Sequence, residues 1–352
     1  MYTKVKTEHY ILVTLAACIC YLNSLQCGFV FDDMSAVRDN RDLRPQTPLS
    51  NLFWNDFWGT PIHKEHSHKS YRPLCVLTFR LNYAVHELNP MGFHLVNVAL
   101  HVVVCILYLR VCHMFLSDLA SLVAAMFFAI HPIHTEAVTG VVGRAETLSS
   151  VFFLLAFIAY TKCMSGKGRN TEWPLLLECV FLMTVATLCK EQGITVVGLC
   201  CAYEVFVAQK LRLPDILRIS QNLMTSKSPP PPWLREAVTR MVILVVGALL
   251  LLFGRVRVMG AQLPVFTKFD NPAAVADVPA RQLTYNYLLP VNAWLMLFPC
   301  DLCCDWTMGT IPLVETFTDP RNIFSVVFYL FFGLLMWSGL SSDDDHSEVV
   351  IM

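Results

Sequence analysis

The sequence predicts an all-α, polytopic integral membrane fold, on three observations. Hydrophobic residues fill 55% of the 352 positions and charged residues only 15%, whereas an ordinary soluble domain carries about 25% charged residues. Apolar runs of bilayer-crossing length, roughly 20 residues each, recur along the whole chain. Lys and Arg alternate in abundance from one connecting loop to the next, the pattern that sets membrane orientation.

Taken in order, about nine membrane segments are expected, near 9–27, 94–116, 119–135, 146–162, 174–190, 193–209, 238–256, 284–299 and 323–340. The first follows Lys4 and Lys6 and runs into Cys27-Gly28-Phe29 without a small-x-small cleavage site, which favours a retained signal anchor over a cleaved peptide. With the N-terminus cytosolic, Arg110, Lys162, Lys167, Arg169 and the basic loop 210–237 fall on the cytosolic side. Arg144 and Lys190, each beside an acidic residue, fall on the other. The segment 284–299 contains Pro290, Asn292 and Pro299 and is expected to be broken or re-entrant.

Three stretches are long enough to fold outside the hydrocarbon. The luminal loop 28–93 carries Trp54, Phe57 and Trp58, aromatic residues suited to short helices at the membrane surface. The cytosolic loop 210–237 contains Pro229 to Pro232 and is expected to be a polyproline linker. The third, 256–283, is expected to be luminal, and the tail 341–352 ends the chain without 34-residue repeats.

Composition also excludes classes. A net charge of −1 offers no basic footprint for nucleic acid, and no phosphate-cradling glycine loop or zinc-finger spacing is present. Most of the 14 cysteines lie in apolar runs, where they act as small hydrophobes. The Cys300, Cys303 and Cys304 cluster suits a disulfide, if it faces an oxidising lumen, or free thiols better than a metal site, because no second ligand pair completes a tetrahedral set. No metal and no cofactor is expected.

Four polar groups interrupt the apolar pattern. Asp32 and Asp33 sit where the first span meets the lumen. Paired carboxylates repel, which raises one pKa and prepares a base; a helix-end cap is the plainer alternative. His131-Pro132-Ile133-His134-Thr135-Glu136 ends the third segment, and Gly143-Arg144-Ala145-Glu146 opens the fourth. Ionisable groups at such a depth are tolerated where they line a cavity or lie inside protein. In Ser67-His68-Lys69-Ser70-Tyr71-Arg72-Pro73, Lys69 and Arg72 suit an anionic phosphate. Lys190-Glu191 separates the fifth and sixth segments, as an interfacial ion pair or as part of the same site. On the expected topology all four meet one membrane face, as befits an enzyme drawing a lipid-linked anionic donor from the bilayer.

These strings, with Asn55-Asp56-Phe57-Trp58-Gly59-Thr60, Cys189-Lys190-Glu191-Gln192-Gly193 and Leu302-Cys303-Cys304-Asp305-Trp306, resemble the transmembrane and tetratricopeptide repeat-containing proteins over about residues 8 to 340. The resemblance implies a GT-C-type glycosyltransferase helical core in the endoplasmic reticulum. It implies transfer of mannose from dolichyl phosphate mannose to Ser or Thr of acceptor proteins, cadherin domains among them. The base would be Asp32 or Asp33, and Lys69 and Arg72 are candidates for the donor phosphate. By position and charge, Tyr71, His131, His134, Glu136, Arg144, Glu146, Lys190 and Glu191 would line the pocket. Members of that family continue into further spans and a repeat array, so this chain is expected to be a shortened form. A non-catalytic membrane scaffold or regulator, and more remotely a transporter, are the alternatives.

Overall fold

The apolar runs become helices because, within lipid, every backbone N–H and C=O must find a partner in its own segment. The computed structural model describes residues 4–164, 170–225, 229–260, 266–303, 306–341 and 345–352. Among the described residues the regular structure is helical, with one isolated antiparallel bridge between Asn55 and Pro61. In order, besides the short helices Asn51–Trp54 and Thr135–Thr139, the α-helices among the described residues are α1 (Thr7–Tyr21), α2 (Pro73–His86), α3 (Pro90–Phe115), α4 (Asp118–Ile130), α5 (Arg144–Lys162), α6 (Trp173–Cys189), α7 (Val196–Ala202), α8 (Leu213–Thr225), α9 (Pro232–Met259), α10 (Ala280–Leu297), α11 (Asn322–Ser341) and α12 (Asp345–Ile351). A 3-10 turn over Glu191–Thr195 and a π turn over Tyr203–Ala208 extend α7 to 18 residues.

Six of these segments are long and apolar enough to cross a bilayer, and a seventh if Asp118–Ile130 and Pro132–Thr139 count as one bent span. The chain is therefore a multi-pass helical membrane protein. Two of the expected nine segments differ. Helix α6 is apolar but has only 17 residues. Helix α10 carries Arg281, Gln282 and Asn286 in its first turns and is too polar to count among the spans, yet it runs unbroken through Pro290. The linker expected over 210–237 also differs, since α8 occupies half of it. Among the described residues its end keeps the extended form: Pro231 has φ −60° and ψ 149°, and Pro232 opens α9 at a first-turn position where proline's missing N–H costs nothing.

The chain divides into two compact units. One comprises Met1–Ile130, Ala137–Gln262 and Ile351–Met352. Its centre is the α5–α6 pair, where Ala156, Phe157 and Tyr160 meet Leu176, Cys179 and Met183. Small side chains allow the close helix approach that packing in lipid depends on. Gly193 lies so near the Ala186 backbone that a Cβ has no room there. Helices α1, α3 and α4 share a second core through Val13, Ala17, Cys105, Leu109, Ala125 and Ala129. Glu204 and Arg240 form a fully buried pair at 2.7 Å, and Tyr160 (2.7 Å) and Gln209 (2.8 Å) donate to the same carboxylate. That pair ties the end of the α7 span to α5 and α9.

The loop 28–93 folds as a lobe of the same unit around Ala36, Val37, Leu43, Leu52, Phe57, Val76, Phe79 and Phe93. Asp56 organises it. One carboxylate oxygen accepts from the Trp58 and Thr60 amides (3.0 and 2.9 Å), the other from the Ser67 hydroxyl and the His68 amide (2.6 and 3.1 Å). Gly59 turns the chain there at φ +83°, tight against Asn40, where a side chain would be strained and would clash.

The other unit comprises His131–Glu136 and Leu263–Val350. Helices α10 and α11 pack together, and α11 exposes Phe324, Leu330, Phe331 and Leu334, as a lipid-facing helix does. The Arg321 guanidinium pairs with Asp319 at 2.7 Å and donates to the Pro312 and Leu313 carbonyls, both at 2.7 Å. That hydrogen bond from Arg321 holds the Asp319 carboxyl below its usual range.

Candidate functional site

The acidic pair following α1 splits into two roles. The α1 span ends in a 3-10 turn at Gln26, and the chain runs extended from Cys27 before turning at Phe31, whose φ of +47° is left-handed. Asp33 is only 2% exposed. One of its carboxylate oxygens accepts the Val30 amide (3.2 Å), and the other accepts the Val142 amide (2.9 Å), which lies just before α5. Asp33 therefore pins the end of the first span to the start of α5. Asp32 stands outside this clamp, exposed, its carbonyl accepting from the Ser35 hydroxyl at 3.2 Å. Of the two carboxylates, Asp32 is the exposed one.

Arg72, at the N-terminal end of α2, donates through Nε to Glu191 Oε2 at 3.0 Å and lies over the Phe57 ring at 5.1 Å. The second Glu191 oxygen accepts from Arg255 Nη2 at 2.9 Å. Arg255 is buried near the end of α9 and also donates to the Tyr71 and Thr187 carbonyls (2.9 and 3.1 Å). Glu191 thus bridges two guanidiniums, one locked into carbonyls and one holding only its Nε edge to the carboxylate. Tyr71 lies beneath Arg255, and burial raises its phenol above the ordinary tyrosine range. Lys190 pairs with Glu146, whose side chain is 46% exposed. The sequence reading overlooked Arg255. The only signal was a cation inside an apolar run, a placement that is costly in lipid and needs a partner.

Two residues depart from their expected roles. Lys69, expected at a donor phosphate, is 4% exposed and turns into its own loop. Its ammonium donates to the Ile62 and Lys64 carbonyls at 2.6 and 3.0 Å, from a backbone at φ +60°. Arg144, expected to line a pocket, is fully buried. It donates to Asn97 Oδ1 (2.8 Å), Asn82 Oδ1 (2.9 Å) and the Phe93 carbonyl (2.9 Å), and stacks over Phe79 at 4.7 Å. It joins α2, α3 and α5 as a polar hub, because its position at the start of α5 directs the side chain into the core.

His131, His134 and Glu136 belong to the second unit. His131 Nδ1 accepts from the Ile133 amide (3.2 Å), which leaves Nε2 as the protonated nitrogen donating to the Met296 carbonyl at 3.0 Å. With both ring nitrogens engaged, His131 has no lone pair for a metal, and no metal-ligating cluster occurs among the described residues. The rings of His131 and His134 meet edge to face, centroids 6.1 Å apart. Glu136 lines a cavity of about 330 Å³ with Asp270, Asn271, Thr284 and Trp306. Of the cysteine cluster, Cys300 is exposed and forms no disulfide, while Cys304, and any bridge to it, lies outside the described residues.

Comparison with known proteins gives this arrangement its context. Residues 260–333 match the family model described as Protein O-mannosyl-transferase TMTC, DUF1736. The chain is 56% identical to mouse (Mus musculus) protein O-mannosyl-transferase TMTC3 over 97% of its own length and 37% of that protein's. It is 49% identical to the Drosophila melanogaster Tmtc3 protein (93% of this chain, 39% of that one). It is 40% identical to human TMTC4 (97% and 49%). The chain thus spans between about a third and a half of the length of these curated relatives. No solved structure matches it. With 56% identity running through both units and a family model falling on the second, the chain belongs to the TMTC family.

Proposed function

We propose that this chain forms the membrane-embedded transfer centre of a protein O-mannosyltransferase, with Asp32 as the base. The separation of duties between the two aspartates carries the proposal: a buried Asp33 clamped on two amides and an exposed Asp32 beside it. The names of the relatives, protein O-mannosyl-transferases, point to the same chemistry.

In this proposal the donor is dolichyl phosphate mannose and the acceptor is a Ser or Thr hydroxyl, in cadherin domains among other proteins. Asp32 takes the hydroxyl proton as the oxygen attacks C1 of the mannose. The bond from C1 to the phosphate oxygen breaks, and dolichyl phosphate departs with the electron pair. General base catalysis of this kind typically contributes 10²–10⁴-fold. Arg72 meets the donor phosphate through its Nη edge, held in place by Glu191 and, through it, Arg255. Lys69 is left out, because its donors are spent on carbonyls. The donor enters from the bilayer, as the exposed apolar side chains of Val30 and Phe31 beside the pair suggest. The chain resides in the endoplasmic reticulum membrane with a cytosolic N-terminus, so that the 28–93 lobe is luminal; the bias of Lys and Arg among the loops supports that orientation.

The test is glycopeptide mapping of O-mannose in cells whose only TMTC protein is this chain, wild type or D32N. We expect mannose on Ser and Thr of acceptors with the wild type and its loss with the variant at equal membrane abundance. Unchanged occupancy with D32N sinks the assignment.

A further inference from the structure

Helix α8 lies in the loop between two membrane spans and is amphipathic to an unusual degree. At about 100° per residue, Leu213, Ile216, Leu217, Ile219, Leu223 and Met224 fall on one side, while Asp215, Arg218, Gln221 and Asn222 fall on the other. No residue of the helix is buried. Leu217 is 55% exposed and Met224 86%, while Ile216 and Ile219 are half-buried, so the body of the protein leaves most of the apolar face uncovered.

What covers it follows from how the helix is tied. Residue 208 ends one span and residue 213 begins α8; α8 ends at 225, and 232 begins the next span. No span intervenes, so both tethers leave the same membrane face. At about 3.5 Å per extended residue, the four linking residues keep the start of α8 within roughly 18 Å of the end of the first span. The six that follow keep its other end within roughly 25 Å of the second. An apolar face held this close to a bilayer meets lipid before it meets anything else. The charges agree: the exposed Lys210 precedes the helix, Arg218 lies on its polar side, and Arg235 follows in the first turns of α9. Asp215, the helix's own acid, accepts the Arg212 amide at 3.1 Å and so caps the first turn.

We infer that α8 is an in-plane helix whose apolar face inserts into the lipid headgroup boundary, anchoring the loop between the α7 and α9 spans to the membrane surface. Helices with a strong moment and basic flanks bind bilayers in this way, about 5–10 Å deep. The occupant of the face is the bilayer of the chain's own membrane.

The test places a fluorescent amino acid at position 217 or at position 222 of the full chain. The protein is reconstituted in phosphatidylcholine vesicles that contain lipid with a nitroxide near the headgroup end of one acyl chain. We expect quenching at 217 at least threefold that at 222. Equal quenching, or less at 217, overturns the inference, and this is the outcome if a protein partner or the helical bundle covers the face. A second variant guards against quenching by mere nearness: with the probe at 224, L217D and L223D together should reduce quenching to the level at 222. Quenching that persists in that variant also overturns it.

Discussion

Replacing Asp33 by Asn isolates the clamp from the chemistry, because the shape is kept and the charge is removed. The wild-type carboxylate accepts two amides, from Val30 at 3.2 Å and Val142 at 2.9 Å, with only 2% of the residue exposed. Hydrogen bonds to a charged group contribute about 1.5–3 kcal/mol each. An Asn oxygen keeps one of them, while its NH2 faces the other amide, donor against donor, where water cannot substitute. Relief from holding a buried charge offsets part of the loss, so we expect a net cost of about 2 kcal/mol. For a folding unit of this size that lowers the unfolding midpoint by roughly 4–8 °C. The measurement is thermal unfolding in lipid nanodiscs at one fixed scan rate, with D32N as the control. An exposed substitution should stay within about 0.5 kcal/mol of wild type. A D33N midpoint equal to wild type, or a larger loss in D32N, refutes the division between clamp and exposed carboxylate.

Other expectations follow from the same contacts. E191Q should weaken the hold on Arg72 and raise the donor KM by roughly 5–30-fold, the equivalent of about 1–2 kcal/mol, with a smaller change in kcat; a kcat loss at constant KM would contradict a phosphate-positioning role. K69M should destabilise the 62–70 loop by about 1–3 kcal/mol through the carbonyls it leaves unpaired, seen as faster hydrogen exchange there, while the donor KM stays put; a raised KM would return Lys69 to the donor site. Burial pushes the Cys75 thiol up to about 12, so even at pH 9 almost no thiolate forms. N-ethylmaleimide mapping should therefore find Cys75 unmodified in the folded protein, while the exposed Cys27, just beyond the first span, reacts.

What was legible in the sequence was whatever depends on period and composition. The spans were visible as apolar runs, and the strings in the 28–93 lobe carried the family resemblance. The direction of a single side chain was not legible. Arg144 and Lys69 both stand in polar strings beside candidate residues, yet one turns into the helix core and the other into its own loop. The choice between Asp32 and Asp33 was equally closed, because it depends on the Val142 amide, 109 positions away. Glu204 and Arg240 escaped notice for a related reason: each looks like an ordinary end-of-span charge until the fold joins them. Helix α8 is a different case. Its spacing of Leu213, Ile216, Leu217 and Leu223 was readable, but the prolines at 229–232 and the basic composition drew the whole loop toward a linker assignment.

The most direct measurement is mannose transfer from dolichyl phosphate mannose to a Ser/Thr peptide by the reconstituted protein. Wild type, D32N and D33N are compared at equal amounts of folded protein. We expect D32N to lose about 10²–10⁴-fold, and D33N, once corrected for its folded fraction, to keep most of the rate. Full loss in D33N with near-normal transfer by D32N would contradict the assignment of Asp32 as the base.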